Sequence, residues 1–138
     1  MSHNSVILLL GTNLGDKESN LKTCKKLIEQ HFGEIVDFSE VIETEAEDFE
    51  SEQLFFNQTL KINTEYSPIK VLKLIKKIEV EMGRVYSKPE QRYQDRLIDI
   101  DLLYYNKITF ESQILRIPHP QVFSRNFIKK ILNYGLDI

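Results

Sequence analysis

The chain predicts an α+β fold, a ferredoxin-like βαββαβ sandwich with an antiparallel sheet and a C-terminal helical addition. Three observations carry that expectation. Apolar residues switch between a two-residue and a 3.6-residue period in the order strand, helix, strand, strand, helix, strand. Capping signals bracket both helical stretches. The 138 residues contain no internal repeat, low-complexity tract or linker, so a single domain over 1–138 is expected.

The elements follow in order. "VILLL", Val6 to Leu10, reads as a buried strand halted by "GTNLGDKESN". Asp16 is placed to cap the next helix, whose apolar stripe runs through Leu21, Cys24, Leu27 and Ile28. Gly33 resets the chain into "EIVDFSEVIETE", expected as one long strand with imperfect alternation. After the acidic connection "AEDFESEQ", the stretch "LFFNQTLKINT" alternates. Leu54, Phe56, Leu60 and Ile62 are expected inward, and Phe55, Asn57, Thr59 and Lys61 outward. Ser67 as N-cap, Pro68 at the first position and Gly83 past the end punctuate a helix burying Val71, Leu74, Ile75, Ile78 and Met82. A loop from Arg84 to Arg96 leads into "RLIDIDLLYY". Here Asp99 and Asp101 share a face with Leu97 and Leu103, and Ile98, Ile100, Leu102 and Tyr104 fill the other. "KITFESQIL" reads as a connection, and "IPHPQVFS" leads into a last helix, "RNFIKKILNY". Helices would cover one sheet face. The other can be open, with Asp99, Asp101, Phe55 and Asn57 as its candidate residues.

The composition, 41% hydrophobic and 28% charged with a formal charge of −3, is that of a soluble globular protein and argues against a general nucleic-acid binder. "VILLL" is too short to span a membrane and lacks the flanks of a secretory signal. Cys24 is the only cysteine, which excludes an intrachain disulfide and a thiolate metal cluster and fits a reducing cytoplasm.

Two carboxylates at neighbouring same-face positions lie about 7 Å apart. Like charges that close are unfavourable unless a cation sits between them: either these are acids of a solvated face paired with Arg96 or Arg92, or the cation is a metal. Phe55 and Asn57 share the polar face of their strand. They could be an ordinary exposed ring and amide, or a stacking platform with paired hydrogen bonds for a heteroaromatic ligand. The Arg84–Arg96 segment carries Arg84, Lys88, Arg92 and Arg96, with Tyr86 and Tyr93 among them. Thirteen residues with no helix or strand pattern suit a lid, and a basic lid leading into a carboxylate pair suggests a polyphosphate held between arginines and magnesium. "PHPQVFSRNF" brings His119, Arg125 and Phe127 together, either as a surface turn or as part of a site. No H-x-x-x-H pair supports zinc, no serine has a nucleophile-elbow context, and "GTNLGDKESN" matches neither phosphate-binding glycine motif.

"GTNLGDKESNL", "FFNQTL", "IEVEMGR", "RLIDIDLL" and "IPHPQVFSRNF" occur in this order over nearly the whole chain. Together they resemble 6-hydroxymethyl-7,8-dihydropterin pyrophosphokinase of folate biosynthesis, in which the β,γ-pyrophosphoryl group of ATP passes to the pterin hydroxymethyl oxygen and AMP leaves. The resemblance implies the ferredoxin-like fold, two Mg²⁺ ions held by Asp99 and Asp101, and a pterin sandwiched by Phe55 and Phe127. Asn57 and the Thr44 backbone would read the polar edge of the ring, with Tyr93 closing over it. Arg84, Arg92 and Arg96 would reach the phosphates from the lid; His119, Arg125 and Glu79 would line the ATP site. A cytoplasmic monomer acting on ATP and a hydroxymethyl pterin is the expectation. The chain departs from the family at "TEAEDF", where Glu45, Glu47 and Asp48 replace a stiff, mostly apolar rim, at Lys76 and at its short C-terminus. A weakened pterin site beside a nearly intact ATP site follows from that difference.

Overall fold

The computed structural model describes residues 4–45, 54–83, 97–125 and 128. Among them, β1 (Asn4–Thr12), α1 (Lys17–Phe32), β2 (Ile35–Phe38), β3 (Ile42–Thr44), β4 (Phe55–Thr64), α2 (Pro68–Glu81) and β5 (Asp99–Tyr105) follow in order. A small hairpin, β6 (Phe110–Glu111) with β7 (Arg116–Ile117), and the short α3 (Gln121–Ser124) come after. The large sheet runs β2-β4-β1-β5, with β3 also on β4, and all its pairs are antiparallel. No helix among the described residues is long and apolar enough to cross a membrane.

Both helix starts use the caps read from the sequence. Asp16 Oδ1 accepts from Ser19 N at 3.1 Å, and Ser67 Oγ accepts from Lys70 N at 3.3 Å. Pro68 occupies the first turn of α2, where its missing N–H costs nothing. Gly83, with φ of +105°, stands just past the end of α2 in a region that side chains with a Cβ avoid. The helices pack their stripes on one face of the sheet. Leu21, Cys24 and Ile28 of α1 and Val71, Leu74, Ile75 and Ile78 of α2 meet Val6, Leu8, Leu10, Leu60, Ile62, Ile100 and Leu102. Each fully buried Leu or Ile there contributes about 1.5–3 kcal/mol of hydrophobic stabilisation. Burial, and secondarily the nearby Glu79 carboxylate, push the Cys24 thiol far above its usual range, so it is an inert core group.

Three expectations for the strands change. The long strand expected in "EIVDFSEVIETE" is two strands, because its register on β4 slips between Ile35 and Asp37 and again between Phe38 and Ile42. Ser39 makes the second break. Its hydroxyl donates to Glu40 O and accepts from Thr59 N, while its carbonyl accepts from Gln58 Nε2. Alternation also fails in β5, where Leu8 faces Leu102 but Ile7 faces Tyr104. The extra residue, Leu103, is a bulge that moves Tyr104 off the main core and puts Tyr105 into it. Leu54, expected inward, lies exposed just before β4 begins.

The second sheet face is only partly open. Ile7, Leu9 and Leu103 pack with Val122 and Ile128 in a second apolar cluster. Thr59, opposite Leu9, is therefore fully buried. What stays available on this face lies at the end of the sheet beyond that cluster. The expected helix "RNFIKKILNY" falls almost wholly outside the described residues.

Candidate active site

That end of the sheet is built from three neighbouring strands. In the ladder Asn57 of β4 pairs with Gly11 of β1, and Gly11 pairs with Asp99 of β5. One step along, Thr59, Leu9 and Asp101 form the next row. Strands lie about 4.8 Å apart, so Asn57 and Asp99 stand about 10 Å from one another with a bare glycine between them. A Cβ added at Gly11 would meet Asn57 Oδ1 at 3.6 Å and the Phe55 ring at 3.7 Å. The glycine thus leaves a strip of backbone as the floor between an amide, an aromatic edge and a carboxylate.

Asn57 was expected to face outward, and it does so under cover, with 3% of its surface exposed. Its Nδ2 donates to Thr44 Oγ1 at 2.8 Å and to Ile42 O at 3.0 Å, which turns its carbonyl oxygen toward Gly11. The amide orientation follows from the carbonyl of Ile42, which can only accept. Thr44 pairs with Phe55 in the ladder, so the three residues form one unit at the β3–β4 edge.

Asp99 and Asp101 sit on the outer strand, β5, and both are half-buried. The β7–α3 segment runs beside them, tied by His119 N donating to Leu103 O at 3.0 Å. His119 Nε2 lies 3.8 Å from Asp101 Oδ1. Burial holds the His119 pKa below its ordinary value, outweighing the nearby Asp99 charge, which raises it. The ring is therefore neutral at neutral pH, and the contact to Asp101 is polar without being an ion pair. His119 Nδ1 accepts from Gln121 N at 3.2 Å, so the ring proton belongs on Nε2, facing Asp101. Gln121 Nε2 donates to Asp101 Oδ2 at 2.9 Å, and Arg125 Nη1 donates to Gln121 Oε1 at 2.7 Å.

Beside these groups a cleft of about 360 Å³ lies along the outer side of β5. Leu72, Ile100, Leu102 and Leu115 give it apolar walls, and Asp101, Arg116 and His119 give it polar ones. A slot with apolar walls and the Asp101 carboxylate in its lining can take a flat base at one end and phosphates at the other. Glu79, which the resemblance sets at the ATP site, is buried at 3% exposure, and its Oε2 accepts from Ile100 N at 2.9 Å. It grips β5 from behind, between the two aspartates.

The 7,8-dihydro-6-hydroxymethylpterin-pyrophosphokinase family model matches residues 7–134, which takes in every element of this site. The chain belongs to that family. It is 36% identical over 131 residues to the 2-amino-4-hydroxy-6-hydroxymethyldihydropteridine pyrophosphokinase of Porphyromonas gingivalis, covering 93% of this chain and 88% of that one. It is 38% identical over 127 residues to the folic acid synthesis protein FOL1 of Dictyostelium discoideum, covering 91% of this chain but only 19% of that longer protein. Among solved structures, a Plasmodium falciparum HPPK-DHPS with pteroate superposes with a TM-score of 0.77 at 18% identity, over 97% of this chain and 41% of that one. At that identity the likeness speaks for the fold, a mixed α/β architecture with an antiparallel sheet.

Of the residues singled out from the sequence, Thr44, Phe55, Asn57, Asp99, Asp101, His119 and Arg125 gather at this end of the pyrophosphokinase sheet, with Glu79 behind it. Arg84, Arg92, Tyr93, Arg96 and Phe127 lie outside the described residues, as do Glu47 and Asp48 of the altered rim; Glu45 is exposed. Two residues escaped sequence reasoning. Gly11 carried a usable signal, since a glycine within a strand marks a close approach. Gln121 carried none.

Proposed function

We propose that this chain transfers pyrophosphate from ATP to 6-hydroxymethyl-7,8-dihydropterin, giving AMP and the pterin pyrophosphate for folate biosynthesis, with the residues above in the following roles. The observation that supports this most is the row Asn57, Gly11, Asp99: a glycine floor between an amide and a carboxylate, with the cleft of β5 alongside. A flat pterin lies over Gly11, with Phe55 and Phe127 on its two faces. Asn57 Oδ1 accepts from its amino and N–H edge, the Thr44 backbone reads the same edge, and Tyr93 closes over it. The nucleoside takes the cleft, with His119 and Arg125 beside its phosphates, and Arg84, Arg92 and Arg96 come onto those phosphates from the lid.

Asp99 and Asp101 fit Mg²⁺ by donor chemistry, since this ion takes oxygen ligands and typically combines one or two carboxylates with substrate phosphates. Among the described residues no three His, Cys, Asp or Glu side chains form a metal cage. The pair therefore suits ions that share phosphate oxygens with the nucleotide, two of them by family resemblance. When bound, they neutralise phosphate charge and orient the chain of phosphates. What the protein itself supplies is placement: the pterin hydroxyl and the β-phosphorus are held in line, and a closed lid keeps water away. Glu79 acts through β5 and not on ATP directly. We read the chain as one ferredoxin-like domain with a C-terminal helical addition, working as a cytoplasmic monomer.

Gly11→Val tests the shared floor. Valine suits a strand and its Cβ has ordinary contact distances, so the fold is retained. Its methyl groups occupy the ring position, and the Kd for hydroxymethyl pterin in calorimetry rises at least about tenfold while that for an ATP analogue is unchanged. Unchanged pterin affinity would place the ring elsewhere.

A further inference from the structure

Gln121 opens α3 and touches three of the groups just assigned. Its Nε2 donates to Asp101 Oδ2 at 2.9 Å, its Oε1 accepts from Arg125 Nη1 at 2.7 Å, and its backbone N–H donates to His119 Nδ1 at 3.2 Å. The amide cannot be turned over. A carboxylate only accepts and a guanidinium only donates, so the nitrogen must face Asp101 and the oxygen Arg125.

No other side chain does this as well. Asparagine is one methylene shorter than the span from α3 to both partners. Glutamate would set a second negative charge against Asp101; lysine or arginine would neutralise Asp101 and repel Arg125. Methionine keeps the length and loses both hydrogen bonds. A neutral group that donates on one side and accepts on the other fits between an acid and a base without cancelling either charge.

We propose that Gln121 is a positioning residue that locks the Asp101 carboxylate to the Arg125 guanidinium, so that the cation-binding and nucleotide-binding halves of the site are held in one geometry. The consequence is energetic coupling. Tilting Asp101 moves the arginine, and a phosphate drawn to the arginine pulls the carboxylate into place. This rests on the reading that Asp101 meets the cation and Arg125 the nucleotide, and the test separates the two ideas.

The measurement is calorimetric binding of a nonhydrolysable ATP analogue with Mg²⁺ to the full chain and to Gln121→Met, Asp101→Asn and the double variant. A hydrogen bond to a charged group is worth enough that Gln121→Met weakens the analogue by about tenfold. Melting temperature and pterin affinity, which a merely structural role would move, stay the same. In the Asp101→Asn background the same substitution costs less than about twofold, because the partner through which it acts has changed. An undiminished analogue affinity in Gln121→Met overturns the proposal. So does the full tenfold loss persisting beside Asp101→Asn, since the glutamine would then act independently. An Asp101→Asn variant that binds Mg²⁺ and analogue as the parent does would remove the metal reading itself, and the coupling with it.

Discussion

Replacing Asp101 by Asn is expected to slow pyrophosphoryl transfer by roughly 10²–10³-fold or more, the scale on which preorganised electrostatic groups act. Asn keeps the size while one negative charge is lost, and the charge-assisted hydrogen bond from Gln121 is lost with it, so the fold is kept while the link to α3 loosens. Stability does not fall, because one of two neighbouring like charges on β5 has been removed. Steady-state kinetics at several Mg²⁺ concentrations, with a thermal melt as control, check the expectation. A variant with parental Mg²⁺-dependent activity would make Asp101 a surface acid.

The second large effect is on stability. Glu79→Ala removes the acceptor of the Ile100 N–H at 2.9 Å and leaves a buried backbone donor and a small cavity behind it. The expected cost is about 2–3 kcal/mol, read from denaturant midpoints. Glu79→Gln should lose less, since its amide oxygen can take the same hydrogen bond. Because Ile100 lies between the two aspartates, catalysis falls with stability in the Ala variant. Equal stability of the Ala variant and the parent would mean that β5 is held without Glu79.

Much of the fold is legible in the sequence. The caps at Asp16 and Ser67 and the stripes of α1 and α2 depend on local chemistry and on a 3.6-residue period, and both survive folding unchanged. The aspartate pair, the Phe55–Asn57 strand and the histidine segment stand out in the sequence as candidate groups, and the sheet brings them to one end. What failed to show was register. A one-residue bulge at Leu103 and two slips around Ser39 arise from pairing with distant strands, and no local pattern encodes them. Thr59 reads as solvent-facing because alternation cannot say that an apolar cluster with Val122 and Ile128 forms on its face of the sheet. Glu79 is a charge on an apolar stripe, and its partner is a backbone N–H that has no signature in sequence. The same holds for Gln121, whose meaning comes only from what tertiary structure sets on either side of it.

Substitutions probe roles, but product analysis addresses the reaction. Incubating the chain with ATP, Mg²⁺ and 6-hydroxymethyl-7,8-dihydropterin, and separating nucleotides by anion exchange, should yield AMP and pterin pyrophosphate in equal amounts, with no AMP when the pterin is omitted. ADP as the nucleotide product, or AMP formed without the pterin, would contradict the account.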